Sequence, residues 1–240
     1  MRRRQRVIIF GASGAIGGAI CSWFIHHDWD VTAISRPGRR SVTAPAGGTW
    51  VEWDPLNGNK ADVPPQLLGA CFDSAVWAQG QNLNDSINSF DAEAHNEMYR
   101  ANVVYIMSTL NALLSRELFS TSSRLCIISS IWQNIARQNK LSYTVSKAAL
   151  QGLVQSLSID LGKKGFLVNA VLPGVLDTPM TRANLTAEQI IRVEEGSPAG
   201  RLPSLDDVSS LVGFLCSSDN TGITGQFVAA DAGFSYARII

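Results

Sequence analysis

The sequence lacks several things that would point to particular partners. It carries no net charge, with twenty Lys and Arg against twenty Asp and Glu. A broad nucleic-acid or membrane-binding surface needs an excess of one sign, so neither partner is expected. No apolar run reaches the ~18 residues of a membrane span. The first apolar run, Val7-Ile8-Ile9-Phe10, is short and runs straight into glycine, unlike a signal peptide. Cysteine is scarce, and Cys21, Cys71, Cys126 and Cys216 form no C-x-x-C pair. They read as buried thiols in a reducing cytoplasm, with neither a disulfide framework nor a thiolate metal site. His26, His27 and His95 show no ligand spacing, so no metal is expected. Arg2, Arg3, Arg4 and Arg6 read as a solvated terminus. No repeat or low-complexity linker divides the chain, so residues 1–240 are expected to form one domain.

What is present is an alternation of short apolar runs with amphipathic stretches. Strands are expected at Val7–Phe10, Asp30–Ile34, Thr49–Trp53, Phe72–Ala78, Leu125–Ile128, Phe166–Leu172 and Gln226–Ala229. Helices are expected from the first glycine turn to about His27, from Phe90 to Leu118, after Leu141 and from Leu205 to Cys216, with a short one near Gln66. Ser120–Ser123 is expected to be a turn, and Ser204 to cap the last helix. This order predicts an α/β fold, a single-domain Rossmann fold. Its doubly wound, mostly parallel sheet of about seven strands has helices on both faces.

Directly after the first strand comes Gly11-Ala12-Ser13-Gly14-Ala15-Ile16-Gly17-Gly18. Strand, glycine-rich turn and helix is the order a pyrophosphate cradle needs. Glycine lets the backbone approach the phosphates, and the helix start offers free N–H groups. The second strand ends in Ser35-Arg36, without the acidic residue that selects NAD. A guanidinium there suits a 2′-phosphate, so NADP(H) is expected, with NAD(H) the alternative. Asp54-Pro55 ends the third strand, where Asp54 either reaches an adenine amino group or caps the next turn.

Ser130 lies at the end of the fifth strand, and Tyr143 and Lys147 lie one turn apart on the following helix. An ammonium beside a phenol favours phenolate, so the Tyr143 pKa is expected to fall from about 10 towards neutrality. Such a tyrosine can exchange a proton with a substrate oxygen, which the Ser130 hydroxyl could hold.

These residues resemble the short-chain dehydrogenase/reductase family, in its compact single-domain branch, over essentially the whole chain. The nearest style is that of bacterial 3-oxoacyl-carrier-protein reductases and carbonyl reductases. Asn102 lies where the family keeps its fourth catalytic residue. Pro173-Gly174-Val175 with Thr178-Pro179-Met180 resembles its nicotinamide-binding segment, and Asp231-Ala232-Gly233 its C-terminal signature. There are departures. Phe10 replaces a threonine and Ala15 a glycine at the first turn. Trp77-Ala78-Gln79-Gly80 replaces Asn-Asn-Ala-Gly, with Trp77 expected to put bulk near the cofactor.

The resemblance implies hydride transfer between nicotinamide and a small-molecule carbonyl or alcohol. Tyr143 would be the general acid, Ser130 the oxygen clamp, and Lys147 the partner of both tyrosine and ribose. Asn102 would hold a water of a proton relay. Val175 and Thr178 would fix the carboxamide. Epimerisation or dehydration on the same scaffold, and cofactor sensing without turnover, are the alternatives. Residues 131–140 and 181–198 would wall the substrate pocket, the latter as a lid. Arg137, Lys140 and Arg182 are read as solvated charge rather than a site for an acidic carrier. A homo-oligomer, tetramer or dimer, would pair the helices of Asn102 and Tyr143 through Val104, Met107 and Leu157.

Overall fold

The computed structural model describes residues 3–38, 47–56, 62–178, 181–182 and 185–237. Seven strands form one sheet: β1 (Arg6–Phe10), β2 (Asp30–Ser35), β3 (Thr49–Glu52), β4 (Phe72–Trp77), β5 (Phe119–Ile128), β6 (Leu167–Pro173) and β7 (Phe227–Ala230). Their order is β3-β2-β1-β4-β5-β6-β7. Every pairing is parallel, so the sheet goes beyond the mostly parallel expectation. Around it pack α1 (Ala15–His26), α2 (Ala92–Tyr99), α3 (Tyr105–Ser115), α4 (Leu141–Gly162), α5 (Ala187–Glu195) and α6 (Leu205–Cys216).

The period-two alternation of the strands builds both faces. In β1, Ile8 and Phe10 join one apolar cluster with α3 and α4, while Val7 and Ile9 join the other with α1 and α6. All four are fully buried. A parallel sheet covered on both sides has apolar strands throughout, which is why the strands read as continuous runs. The strand order reverses beside β1, and that crevice is where such sheets bind ligands.

Two elements differ from the sequence reading. The expected Phe90–Leu118 helix starts at Ala92 on an Asp91 cap and is interrupted by a π turn, Arg100–Val104, between α2 and α3. Apolar spacing does not report one extra residue per turn, so the break is silent in the sequence. The polar stretch Ser120–Ser123, expected as a turn, belongs to β5. It forms an irregularity there: Phe119 pairs with Phe72, but Arg124 already pairs with Ser74. The Ser123 hydroxyl, donating to Phe72 O at 2.9 Å, satisfies that irregular edge. Within 181–198, α5 is capped by Thr186 and Gln189 reciprocally and buries no residue.

Candidate active site

A cleft of about 380 Å³ opens at the carboxyl ends of β1 to β4. Of the residues expected to hold a dinucleotide, Gly11, Ser13, Gly14, Arg36, Asp54, Ala78, Gln79 and Gly80 line it. Ala15, Ile16, Gly17, Ser35 and Pro55 do not; Ser35, in β2, and Pro55 are buried. Pro173, Gly174, Val175 and Thr178 lie along the end of β6 and the segment beyond it, outside this cleft. Thr178 Oγ1 accepts from Thr181 N at 3.2 Å. Met180 lies outside the described residues. Asp54 both lines the cleft and caps the next turn, its Oδ1 accepting from Leu56 N at 3.1 Å.

The cleft fits a dinucleotide on two observations. Gly11 has φ +75°, and a Cβ there would lie 2.5 Å from Gln79 N; a Cβ on Gly17 would lie 2.2 Å from Gly11 O. Only glycine lets turn, helix and β4 loop close this tightly into a cradle. The second observation is Gln79, whose side-chain Nε2 and Oε1 are both buried without a protein partner. A buried amide left unpaired costs free energy, so a ligand bearing donors and acceptors would satisfy it. The first turn of α1 carries no acidic residue that would repel phosphate.

Leu56, Gln81, Ala101 and Tyr105 also line the cleft and were not anticipated. Leu56 and Gln81 directly follow expected positions, and Ala101 and Tyr105 are four apart on the Asn102 segment. Burial pushes the Tyr105 phenol well up, with the Asp54 carboxylate adding to this and Arg36 opposing it. Tyr105 is therefore a neutral donor, bonded to Trp53 O at 3.2 Å.

Trp77 corrects an expectation. Its side chain is fully buried, away from the cleft, and stacks on Phe10 at 5.5 Å between centroids with 3° between planes. Its Nε1 donates to Thr109 Oγ1 at 2.8 Å. A strand residue beside cleft-lining Ala78 must point the other way, into the layer of α3.

The catalytic candidates converge where β5 meets α4. Ser130 caps a short 3₁₀ turn, Ile131–Gln133, its Oγ accepting from Trp132 N at 3.3 Å. Lys147 is buried, and its Nζ donates to Ile128 O at 3.0 Å and sits 5.7 Å from the Tyr143 ring centroid. Burial pulls Lys147 down to about 8, so it is largely cationic at neutral pH. Tyr143 does not show the expected fall. Burial pushes its phenol above the ordinary value and outweighs the lowering by its hydrogen bond with Ser130. Asn102, in the π turn, accepts from Gln81 N at 2.7 Å and donates to Gln81 O and to Ser146 Oγ at 3.1 and 2.9 Å. Its side chain braces the β4 loop against α4.

A family model described as enoyl-(acyl carrier protein) reductase matches residues 68–235. The human (3R)-3-hydroxyacyl-CoA dehydrogenase is 37% identical over 251 aligned residues, covering 96% of this chain and 95% of that protein. The 3-oxoacyl-[acyl-carrier-protein] reductase of Escherichia coli is 28% identical over 233 residues, covering 94% and 95%. A gluconate 5-dehydrogenase from Burkholderia cenocepacia, solved with NADP and tartrate, superposes with a TM-score of 0.88 at 18% identity, covering 99% and 98%. The parallel sheet, the glycine cradle and the Ser–Tyr–Lys cluster define a Rossmann-type oxidoreductase. The chain belongs to the short-chain dehydrogenase/reductase family.

Proposed function

We propose that the protein is an NADP(H)-dependent ketoreductase, interconverting a carbonyl and an alcohol, of the 3-oxoacyl type. The observation that carries this reading is the meeting of Ser130, Tyr143 and Lys147 beside the glycine-cradled cleft. Arg36 in the cleft, with no acidic residue at the end of β2, supports the 2′-phosphorylated cofactor. The acyl substrate is supported by the two relatives named for 3-hydroxyacyl-CoA and 3-oxoacyl-carrier chemistry.

NADPH, held by the Gly11–Gly17 cradle and Arg36, would supply the hydride. Tyr143 gives its phenolic proton to the substrate oxygen, and Ser130 holds that oxygen and the charge growing on it. Lys147, cationic and desolvated, stabilises the phenolate left behind. Asn102 holds the β4 loop and α4 in fixed relation, which keeps cleft and proton donor aligned. Val175 and Thr178 would face the nicotinamide end. A homo-oligomer through α3 and α4 is part of this reading, and half-exposed Met107 and Val145 are apolar residues suited to that surface. Light scattering would then give a multiple of 25.9 kDa.

The test joins turnover and binding. With acetoacetyl-CoA as probe, Tyr143→Phe should lose most NADPH oxidation yet bind NADPH as the parent does. The parent should bind NADPH at least tenfold more tightly than NADH, about 1.4 kcal/mol, and Arg36→Ala should erase that preference. Near-parental turnover in Tyr143→Phe would remove the proton-transfer role. Equal affinity for the two nucleotides would remove Arg36 as a 2′-phosphate contact.

A further inference from the structure

Lys140 reads in the sequence as solvated charge, but the structure buries it to 8% exposure. It is the N-cap residue of α4, three positions before Tyr143. Its Nζ donates to Asn82 Oδ1 at 2.7 Å, to Asn84 Oδ1 at 2.5 Å and to Leu83 O at 3.4 Å. All three acceptors are neutral. Among the described residues no carboxylate ion-pairs with Lys140. Its charge is therefore held in place without being cancelled. The same Nζ lies 5.8 Å from the Tyr143 ring centroid, against 5.7 Å for Lys147.

The other groups around this tyrosine are few. Ser130, beyond β5, hydrogen-bonds to it. Burial lowers the Lys140 ammonium below its ordinary value; Arg137, from the loop before α4, adds to this, and Asp85, from the loop after β4, opposes it. Asp85 also accepts from Ser142 N at 3.0 Å and from Ser142 Oγ at 2.5 Å. His95, on α2, contacts Ser142 Oγ through Nδ1 at 2.8 Å. Asn102, from the π turn, is neutral. The one carboxylate named here is thus engaged by Ser142, while two ammonium groups lie at near-equal distances from the ring.

We infer that Lys140 is a positioning residue for Tyr143, a second cation whose charge, with that of Lys147, stabilises the phenolate formed when the proton leaves. This rests on the reading of Tyr143 as proton donor, and it assigns the electrostatic work to two lysines rather than one. Asn82, Leu83 and Asn84 serve as the cage that keeps the second charge close to the ring. The β4 loop, which continues from the cleft, thereby controls the acidity of the tyrosine.

The test is a pH titration of protein carrying ¹³Cζ-tyrosine, followed by NMR. The chain has four tyrosines, and loss of one signal in Tyr143→Phe assigns the relevant one. Lys140→Gln should titrate Tyr143 about one pH unit above Lys140→Arg, the size expected for one unit charge a few ångströms away in a partly solvated site. Lys140→Arg is the reference because a guanidinium keeps its charge at the alkaline pH where the phenol titrates. If Lys140→Gln does not fold, Asn84→Asp places a carboxylate against the ammonium at an exposed position and should also raise the midpoint. Equal midpoints in Lys140→Gln and Lys140→Arg, or an unmoved midpoint in Asn84→Asp where Lys140→Gln does not fold, overturn the inference and leave Lys140 as a latch. The titration needs neither substrate nor turnover, so it stands apart from the Tyr143→Phe assay above.

Discussion

Phe10 and Trp77 show what a single residue can and cannot announce. Each departs from the family pattern, and each alone reads as a disturbance of the cofactor site. In the structure they are one event: two fully buried rings stacked on each other, with Tyr105 edge-on to Phe10 at 6.0 Å and Trp53 tilted against it at 5.8 Å. Sequence separation hid this, because β1 and β4 pair Phe10 with Trp77 only once the sheet is assembled. Restoring the family's residues one at a time should therefore be costly. Trp77→Asn alone should lose about 3–5 kcal/mol, from the cavity and the stranded polar group. Phe10→Thr combined with Trp77→Asn should lose less than the sum of the singles, with a coupling of about 1 kcal/mol or more. Urea denaturation of the four proteins measures it, and strict additivity would mean the two departures are independent.

At the scale of elements, α6 was fully legible and the α2–α3 stretch was not. Ser204 caps α6 as its sequence indicates, and Asp207 closes the capping box by accepting from Ser204 N at 2.8 Å. Caps are local, so four residues suffice to state them. The π turn at Arg100–Val104 and the clamp of Asp85 on Ser142 depend on partners far away in the chain, and no local pattern encodes them. The positions of Ser130, Tyr143 and Lys147 were legible because strand end and helix spacing fix them. The tyrosine's raised pKa was not, because burial is a tertiary property. A pH experiment follows for α6. The Arg201 guanidinium and the Ser204 backbone hold the Asp207 carboxyl down to about 2. Its folded value is depressed, so its stabilisation is complete above about pH 4 and is lost as pH falls through about 2. Asp207→Ala should cost about 1 kcal/mol at neutral pH, modest because the carboxylate is about a third exposed. The gap between parent and variant in thermal unfolding should close in strong acid. A gap that persists there would assign the loss to packing rather than charge.

Across the whole molecule, the sheet gathers at one edge residues that come from most of the chain's length. Gly11, Arg36, Asp54 and Gly80 follow the ends of β1, β2, β3 and β4, and Ser130 follows β5. That convergence was readable from the alternation of strands and helices, whereas the inner wall formed by Ala101 and Tyr105 required the helix to be placed. The aromatic cluster behind that wall has an optical consequence. Trp53 and Trp77 each immediately precede a residue that lines the cleft, Asp54 and Ala78. Indole emission overlaps the absorption band of a reduced nicotinamide, and energy transfer over such short separations is efficient. Titration with NADPH should therefore quench the protein's intrinsic fluorescence and brighten the nucleotide's own emission. Trp53→Phe, which keeps the packing aromatic, should reduce that transfer while leaving the affinity intact. The protein thus carries a built-in donor for following occupancy of its cleft in real time, without label or substrate.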